Sequence, residues 1–373
     1  MRVRIQAAVS RSGVPYPQLA SVDLGPPQPG EVLVRIVASG VCHTDLGAHA
    51  ARGAGTPKPV VLGHEGAGVV AEVGARVTSL VPGDHVVLSG CSCGRCPSCQ
   101  RNLPSYCDEM LPRNFGGLRM DGTSALELEG ERLHGHFFGQ SSFAEYSIAA
   151  ERTAVKVPKD LPLRTLAPLG CGVITGVGAV LYALRVRAGD TLAVFGAGGV
   201  GLSAVMAARL VGAVRIIAID LVPERLALAR ELGATDAIDA RDGEVARRVR
   251  ELTGRGVDFS FNTTLAPEVF TQALECLAMR GTAGFVTAPR GEWQPAMFPM
   301  LAGGRRLQGI LGGDAAPQLA IPVLLEYHRQ GRLPFDRLLR FYPFQRIADA
   351  FRDMEHGIAI KPVLEIASGG TAQ

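Results

Sequence analysis

Apolar and polar positions follow two different rhythms along this chain. Through the first 150 residues, short Val/Ile runs are broken by Gly and Pro, as in Glu31-Val32-Leu33-Val34-Arg35-Ile36-Val37 and Gly68-Val69-Val70-Ala71-Glu72-Val73-Gly74. Runs of this kind between breakers predict strands joined by turns. Pro82-Gly83-Asp84 predicts a turn into a further strand, His85-Val86-Val87-Leu88. This part reads as mostly β. From about residue 172 strand-like and helix-like runs alternate. Strands are predicted at 191–195, 215–219, 257–261, 282–287 and 306–311. Helices are predicted at 202–211, from Pro223 to near Gly233, and at 267–279, with Pro suited to the first helical position and Gly to the position past the end. This alternation predicts a parallel, doubly wound sheet. A helix at 320–330 and a strand at 362–366 follow, a tail expected to return to the first part.

The uncharged stretch 165–184 is long enough to span a bilayer, but it carries Pro168 and four glycines, so a buried strand, turn and helix start is expected instead. Composition fits a protein with a large core, at 47% hydrophobic and 20% charged residues. With a net charge of +3 and no Lys/Arg block, neither nucleic acid nor a membrane surface is an expected partner. The N-terminus lacks an apolar run of signal-peptide type, so a reducing, cytoplasmic location is expected.

Four of the eight cysteines, Cys93, Cys96, Cys99 and Cys107, stand as C-x2-C-x2-C-x7-C. Thiolates at short spacing on one loop supply the tetrahedral, closed set of a structural zinc, which leaves no position open for chemistry. Iron–sulfur proteins share part of this spacing, but there the fourth Cys usually precedes Pro, and Cys107 precedes Asp108. A set of unligated buried cysteines is the plainer alternative. Three other residues form a second set: Cys42 in Gly40-Val41-Cys42-His43-Thr44-Asp45, His64 in Gly63-His64-Glu65, and Cys171 in Gly170-Cys171-Gly172. Each alone is weak, since a lone Cys is usually a small buried hydrophobe. Together they match the two-Cys, one-His set of a catalytic zinc with its fourth position open.

Gly196-Ala197-Gly198-Gly199-Val200-Gly201 is a G-x-G-x-x-G that follows a predicted strand, opens a helix and precedes Asp220 at the end of the next strand. In that context the run is a dinucleotide-binding fingerprint, with the pyrophosphate at the helix N-terminus. Asp220 suits the ribose hydroxyls of NAD and disfavours the 2′-phosphate of NADP.

The combination resembles the zinc-dependent medium-chain alcohol dehydrogenases, with Gly63-His64-Glu65-x2-Gly68-x5-Gly74-x2-Val77 similar to that family's zinc signature. Segments 110–117, 137–143 and 168–172 resemble its aryl-alcohol and geraniol dehydrogenase branch. The resemblance implies a GroES-like, mostly β catalytic domain over 1–171 and 314–373 and a Rossmann domain for NAD over 172–313. It implies that Cys42, His64 and Cys171 hold the catalytic zinc, that Asp45 orients His64, and that Glu65 lies near the metal away from substrate. It makes Thr44 the acceptor of the alcohol proton. It puts His43 and Lys361 toward the cofactor pyrophosphate, Thr175 toward the nicotinamide and Arg225 near the adenosine ribose. Thr175 as a helix cap, and Lys361 and Arg225 as surface charges, are the structural alternatives. Gly47 stands where many family members carry a relay His; His49 is nearby, but nothing in the sequence puts it in the relay.

The implied reaction is reversible oxidation of a primary aryl or allylic alcohol to its aldehyde with NAD, by a homodimer or homotetramer carrying two zinc ions per subunit. A short aliphatic alcohol, or the glutathione adduct of formaldehyde, is the alternative substrate. A non-catalytic zinc-containing binding protein would be marked by loss of a catalytic ligand, and all three ligands are present.

Overall fold

The structure, a computed structural model, describes residues 2–51 and 55–366. The chain divides into two compact units: Met1–Cys171 with Ala316–Val323 and Asp336–Gln373, and Gly172–Ala315 with Leu324–Phe335. The tail expected to lie wholly with the first part thus gives Leu324–Phe335 to the second unit, where Leu324, Leu325, Leu333 and Phe335 are buried.

The first unit is built on two sheets. The smaller orders Val60–Val61, Val3–Ser10, Gln18–Leu24, Leu126–Leu128 and Glu131–Leu133. The larger orders Ala154–Val157, His85–Leu88, Glu65–Val73, Glu31–Gly40, Lys361–Glu365 and Leu339–Pro343, with Tyr146–Ala150 also pairing with Glu31–Gly40. Along Glu31–Gly40, Val32, Val34, Ile36 and Ala38 are fully buried, the period-2 alternation that the sequence pattern predicts. This central strand carries two register shifts, between Leu33 and Val34 and between Ile36 and Ala38. Its last residue, Gly40, pairs with both Glu65 and Val363, which brings three distant segments to one point.

The second unit holds a six-stranded parallel sheet ordered Asp236–Asp239, Arg215–Asp220, Thr191–Phe195, Val257–Asn262, Leu277–Phe285 and Arg306–Gly309. Numbered from Thr191–Phe195, that is 3-2-1-4-5-6, the dinucleotide-binding arrangement. Two elements differ from expectation. The helix from Pro267 ends at Glu275, because Leu277 already pairs with Val257 as the start of the next strand. Residues 165–184 contain no strand: Leu163–Leu166 and Gly172–Gly178 are helical, with the chain turning at Ala167–Gly170 and widening into a π turn at Ala179–Ala183. Gly176 and Gly178 let that helix pack directly on backbone, since a Cβ would stand 2.1 Å from the Val200 oxygen and 2.5 Å from the Gly313 oxygen. Packing there overrides the β preference of Val and Ile. Among the described residues no single helix is long and apolar enough to cross a membrane.

Candidate active site

The larger sheet and the helix His43–His49 carry the first cluster. Cys42 is the cap of that helix, and His64 stands just before the strand Glu65–Val73. Cys171 follows the turn Ala167–Gly170. One ligand atom from each of Cys42, His64, Glu65 and Cys171 lies within 4.8 Å of the others. Asp45 ties the set together. Its Oδ2 accepts the Cys42 N–H at 2.9 Å, and its Oδ1 accepts from the Gly63 N–H at 3.1 Å and from His64 Nδ1 at 3.0 Å. This bond leaves Nε2 to act as ligand, and Nε2 is buried without a hydrogen-bond partner. An orphaned buried nitrogen is costly unless something binds it. Two thiols and an imidazole nitrogen are the donor chemistry that zinc takes, so the residues fit the metal.

Charge accumulates at this cluster. The Cys42 sulfur is held well below a thiol's ordinary pKa, chiefly by a hydrogen bond from Cys171, whose own thiol is pushed well above. Burial raises the Glu65 carboxyl to about 7, against the pull of the Lys361 cation. Burial also disfavours a charged His64 ring, but the Asp45 carboxylate and the Cys42 sulfur outweigh it and hold the ring well above its ordinary value. A bound dication would neutralise this set and keep His64 neutral.

Lys361 is buried, and its Nζ donates to Glu65 Oε1 at 2.8 Å, Glu65 Oε2 at 3.0 Å and the Val41 oxygen at 3.2 Å. The surface-charge reading of Lys361 is therefore wrong. The contacts it makes are with Glu65 of the metal cluster and with the Val41 carbonyl. Thr44 is half-buried with its Oγ1 3.7 Å from the Cys42 sulfur, and His43, the first residue of the helix, is exposed. His49 is buried. Its Nδ1 meets the Ser10 hydroxyl at 2.8 Å and its Nε2 the Val14 oxygen at 3.1 Å, so both ring nitrogens are satisfied within the core and neither serves a relay.

Cys93, Cys96, Cys99 and Cys107 form the second cluster, their sulfurs also within 4.8 Å of one another and none in a disulfide. Backbone N–H groups of Cys96 and Arg95 point at the Cys93 sulfur (3.3 and 3.4 Å), and those of Cys93 and Glu109 at the Cys107 sulfur (3.2 and 3.4 Å). Backbone N–H donors favour thiolates: that of Arg95, aided by that of Cys96, brings Cys93 down to about 6. Burial lifts Cys107 to about 12. Four thiolates this close repel unless a cation lies among them, so this set too fits zinc, in a closed site.

In the second unit the glycine run joins the strand Thr191–Phe195 to the helix Gly199–Leu210. A Cβ at Gly201 would stand 1.8 Å from the Gly196 oxygen, so only glycine lets the helix start this close to the strand. Gly198, with open space where a Cβ would be, and Gly199 and Val200 complete the turn. Asp220 closes it: Oδ2 accepts the Ala197 N–H at 2.6 Å, and Oδ1 accepts those of Leu221 and Val222. Arg225 is half-buried in the helix Pro223–Leu232. Thr175 is buried inside the helix Gly172–Gly178, which removes the capping reading.

Sequence reasoning missed three contributors to the first cluster. Gln140 is buried, taking the Gly66 N–H on Oε1 and giving Nε2 to the His64 and Ser89 oxygens. Phe138 stacks on the His64 ring. Gly40 makes room for the Glu65 carboxylate, which a Cβ would meet at 2.0 Å. Only the Phe137–Phe143 segment carried any signal, as part of the resemblance.

Known proteins place this geometry. Residues 28–159 match the alcohol dehydrogenase GroES-like domain and residues 199–326 the zinc-binding dehydrogenase family. Geraniol dehydrogenase of Castellaniella defragrans is 46% identical, over 97% of this chain and 98% of its own. S-(hydroxymethyl)glutathione dehydrogenase of Synechocystis is 38% identical over 93% and 95%. The crystal structure of benzyl alcohol dehydrogenase from Acinetobacter calcoaceticus superposes with a TM-score of 0.94 at 41% identity, covering 98% of this chain and 100% of that one. The chain belongs to the zinc-dependent medium-chain alcohol dehydrogenases, on the branch that holds the geraniol and benzyl alcohol dehydrogenases.

Proposed function

We propose that this enzyme oxidises a primary aryl or allylic alcohol to the aldehyde, passing the hydride to NAD and the hydroxyl proton to solvent, and that the reaction is reversible. The observation that carries the reading is the buried, unpartnered His64 Nε2 beside the sulfurs of Cys42 and Cys171, with Asp45 fixing the opposite side of the ring. Cys42, His64 and Cys171 would hold a zinc, which would supply Lewis acidity toward the alcohol oxygen. A second zinc, held by the four clustered thiolates, stabilises its loop.

The chain's own groups do the rest. Asp45 holds the His64 tautomer and raises its basicity. Lys361 balances the charge of Glu65. Thr44 Oγ1 takes the alcohol proton while giving up its own, which leaves toward solvent because Gly47 offers no base and His49 is spent on Ser10 and Val14. Gly196, Gly198, Gly199, Val200 and Gly201 cradle the pyrophosphate at the helix N-terminus. The Asp220 carboxylate favours NAD over NADP, and Arg225, Thr175 and His43 serve the cofactor at its ribose, nicotinamide and pyrophosphate.

The aryl or allylic substrate is supported by 46% identity to a geraniol dehydrogenase and 41% to a benzyl alcohol dehydrogenase, against 38% to an S-(hydroxymethyl)glutathione dehydrogenase. Association into a homodimer or homotetramer is supported by Met297, Phe298 and Leu301, which are 69%, 77% and 80% exposed on the helix Met297–Gly303 that precedes the edge strand Arg306–Gly309. Six cysteines placed in metal-ligand sets, a role that needs them reduced, support a reducing, cytoplasmic setting.

NADH formation by the zinc-loaded enzyme, measured side by side with benzyl alcohol, geraniol, ethanol and S-(hydroxymethyl)glutathione, tests the reading. Preference for the first two by kcat/KM is the expected result. If ethanol or the glutathione adduct wins, the substrate class falls and the chemistry stands. No turnover of any of the four rejects the aryl or allylic substrate class and points to another alcohol or to a non-catalytic binding role.

A further inference from the structure

Between Phe137 and Ser141 the backbone of the first unit is tied in an unusual knot. Phe138, Gly139 and Ser141 all have left-handed φ, at +52°, +65° and +54°. An aromatic residue in that region is sterically disfavoured and persists only when its surroundings over-determine it. The surroundings here do so. Phe137 is fully buried, its N–H donates to Ser141 Oγ at 2.9 Å, and that hydroxyl donates to the Val61 oxygen. Gln140, the next residue after the Gly139 turn, is pinned to Gly66, His64 and Ser89. A Cβ at Gly139 would press on Cys91 at 2.7 Å, so only glycine fits the turn at this position.

The product of this strain is the placement of one ring. Phe138 lies 4.5 Å from the His64 ring, centroid to centroid, at 27° between planes. Phe137 meets His64 edge-on at 5.7 Å and 79°, and Phe115 buttresses Phe138 at 5.1 Å and 69°. Asp45 holds His64 at a single atom, Nδ1, which fixes the tautomer. The stacked face of Phe138 adds a constraint on the plane of the ring that one hydrogen bond does not impose. It also acts differently on the two states of the imidazole: an imidazole that has given its lone pair to a cation is electron-poor, and the negative face of a phenyl ring attracts it more strongly than the free base.

We infer that Phe138 is a positioning residue for His64, held in a strained conformation so that its ring fixes the imidazole plane and secures the metal at Cys42, His64 and Cys171. The inference rests on the metal assignment proposed above.

The test is metal release from the purified, zinc-loaded full chain into excess chelator, with the visible spectrum of the cobalt-substituted enzyme as second readout. Phe138→Leu removes the stacked ring but keeps apolar bulk. Phe138→Gly removes the ring and also relieves the backbone. Phe138→Tyr keeps the ring. The expected result is that the Leu and Gly variants lose one of their two ions about 10- to 100-fold faster than the parent, the range typical of supporting groups around metal ligands. Their cobalt band should shift, while the Tyr variant matches the parent in both respects. Unchanged retention of the other ion and an unchanged far-ultraviolet spectrum show that the variants are folded. Parent-like release and cobalt spectrum in the Leu variant overturn the inference. So does parent-like behaviour of the Gly variant alone, which would assign the effect to the backbone. If the parent binds a single ion that Cys42→Ala does not remove, the metal assignment itself fails, and the two failures are told apart.

Discussion

Asp45 Oδ1 lies 3.0 Å from His64 Nδ1, and both side chains are wholly shielded from solvent. The same carboxylate accepts the Cys42 and Gly63 N–H groups, so one side chain sets the spacing of two ligand-bearing segments. Asp45→Asn keeps the shape and removes the charge. The expected outcome is a folded protein with about 10- to 100-fold weaker zinc binding at this cluster, read by chelator competition. Asp45→Ala strands two buried N–H groups as well and should cost about 2–4 kcal/mol in urea unfolding.

Gly40 is predicted to be irreplaceable for a reason unrelated to turns. Its Cβ position lies 2.0 Å from Glu65 Oε2, and that oxygen is held by Lys361 in the core. Gly40→Ala must break the ion pair or push the strands apart. Breaking a buried pair costs about 3–5 kcal/mol. Denaturant unfolding checks the size, and Glu65→Gln combined with Gly40→Ala should cost less than the sum of the two changes if the clash runs through the carboxylate.

A pH dependence is predicted from His136, which is far from either cysteine set in role. Burial, with the Arg119 cation adding to it, lowers its ring pKa from about 6.5 to about 4, and its Nε2 accepts the Ala125 N–H. Between these two values only the unfolded chain binds this proton. Stability therefore falls as pH drops from about 6.5 to about 4, by about 3 kcal/mol in all, and is unaffected by this group above pH 7. His136→Gln should flatten the slope of unfolding free energy against pH by about 1.4 kcal/mol per unit within that window. Equal slopes for parent and variant would refute the assignment.

Cofactor choice should respond to Asp220. Its carboxylate already takes three backbone N–H groups around the glycine turn, so it is held rigidly and its charge cannot swing away from a 2′-phosphate. Asp220→Asn is expected to lower kcat/KM with NAD and raise it with NADP, moving their ratio at least 10-fold toward NADP, as about 1.4 kcal/mol of differential binding would do.

Metal counting separates the two cysteine sets. Elemental analysis should find two zinc ions per chain in the parent and one in either Cys42→Ala or Cys96→Ala. Only the Cys96 variant should lose thermal stability strongly, because its loop has little apolar core of its own and relies on the metal for closure.

The parts of this molecule that could be read from the chain were those whose cause is local. Strand alternation in Glu31–Gly40, the Pro and Gly bounding Pro223–Leu232, and the four closely spaced cysteines are written within a few residues of where they act. The strand Asp236–Asp239 was not visible, since it has two acidic residues and a single buried one and exists because Arg215–Asp220 offers it an edge. The strand expected within 165–184 is replaced by helix, because Gly176 and Gly178 pack on the Val200 and Gly313 backbone, which lies outside the segment. At the site, the ligand types could be listed but their supports could not. Lys361 as counter-ion of Glu65 requires contact across 296 positions, and a left-handed phenylalanine has no local signature at all.

The strand Lys361–Glu365, inserted between Leu339–Pro343 and Glu31–Gly40, has a consequence for biosynthesis. A ribosome delivers Cys42, His64, Glu65 and Cys171 long before it delivers Lys361. Until the final strand arrives, the central sheet presents an unpaired edge and Glu65 lacks its cation, while the second unit can already fold as a separate cooperative body. Removing the strand Lys361–Glu365 should therefore leave the nucleotide-binding unit sound while the metal cluster loses the cation that balances Glu65.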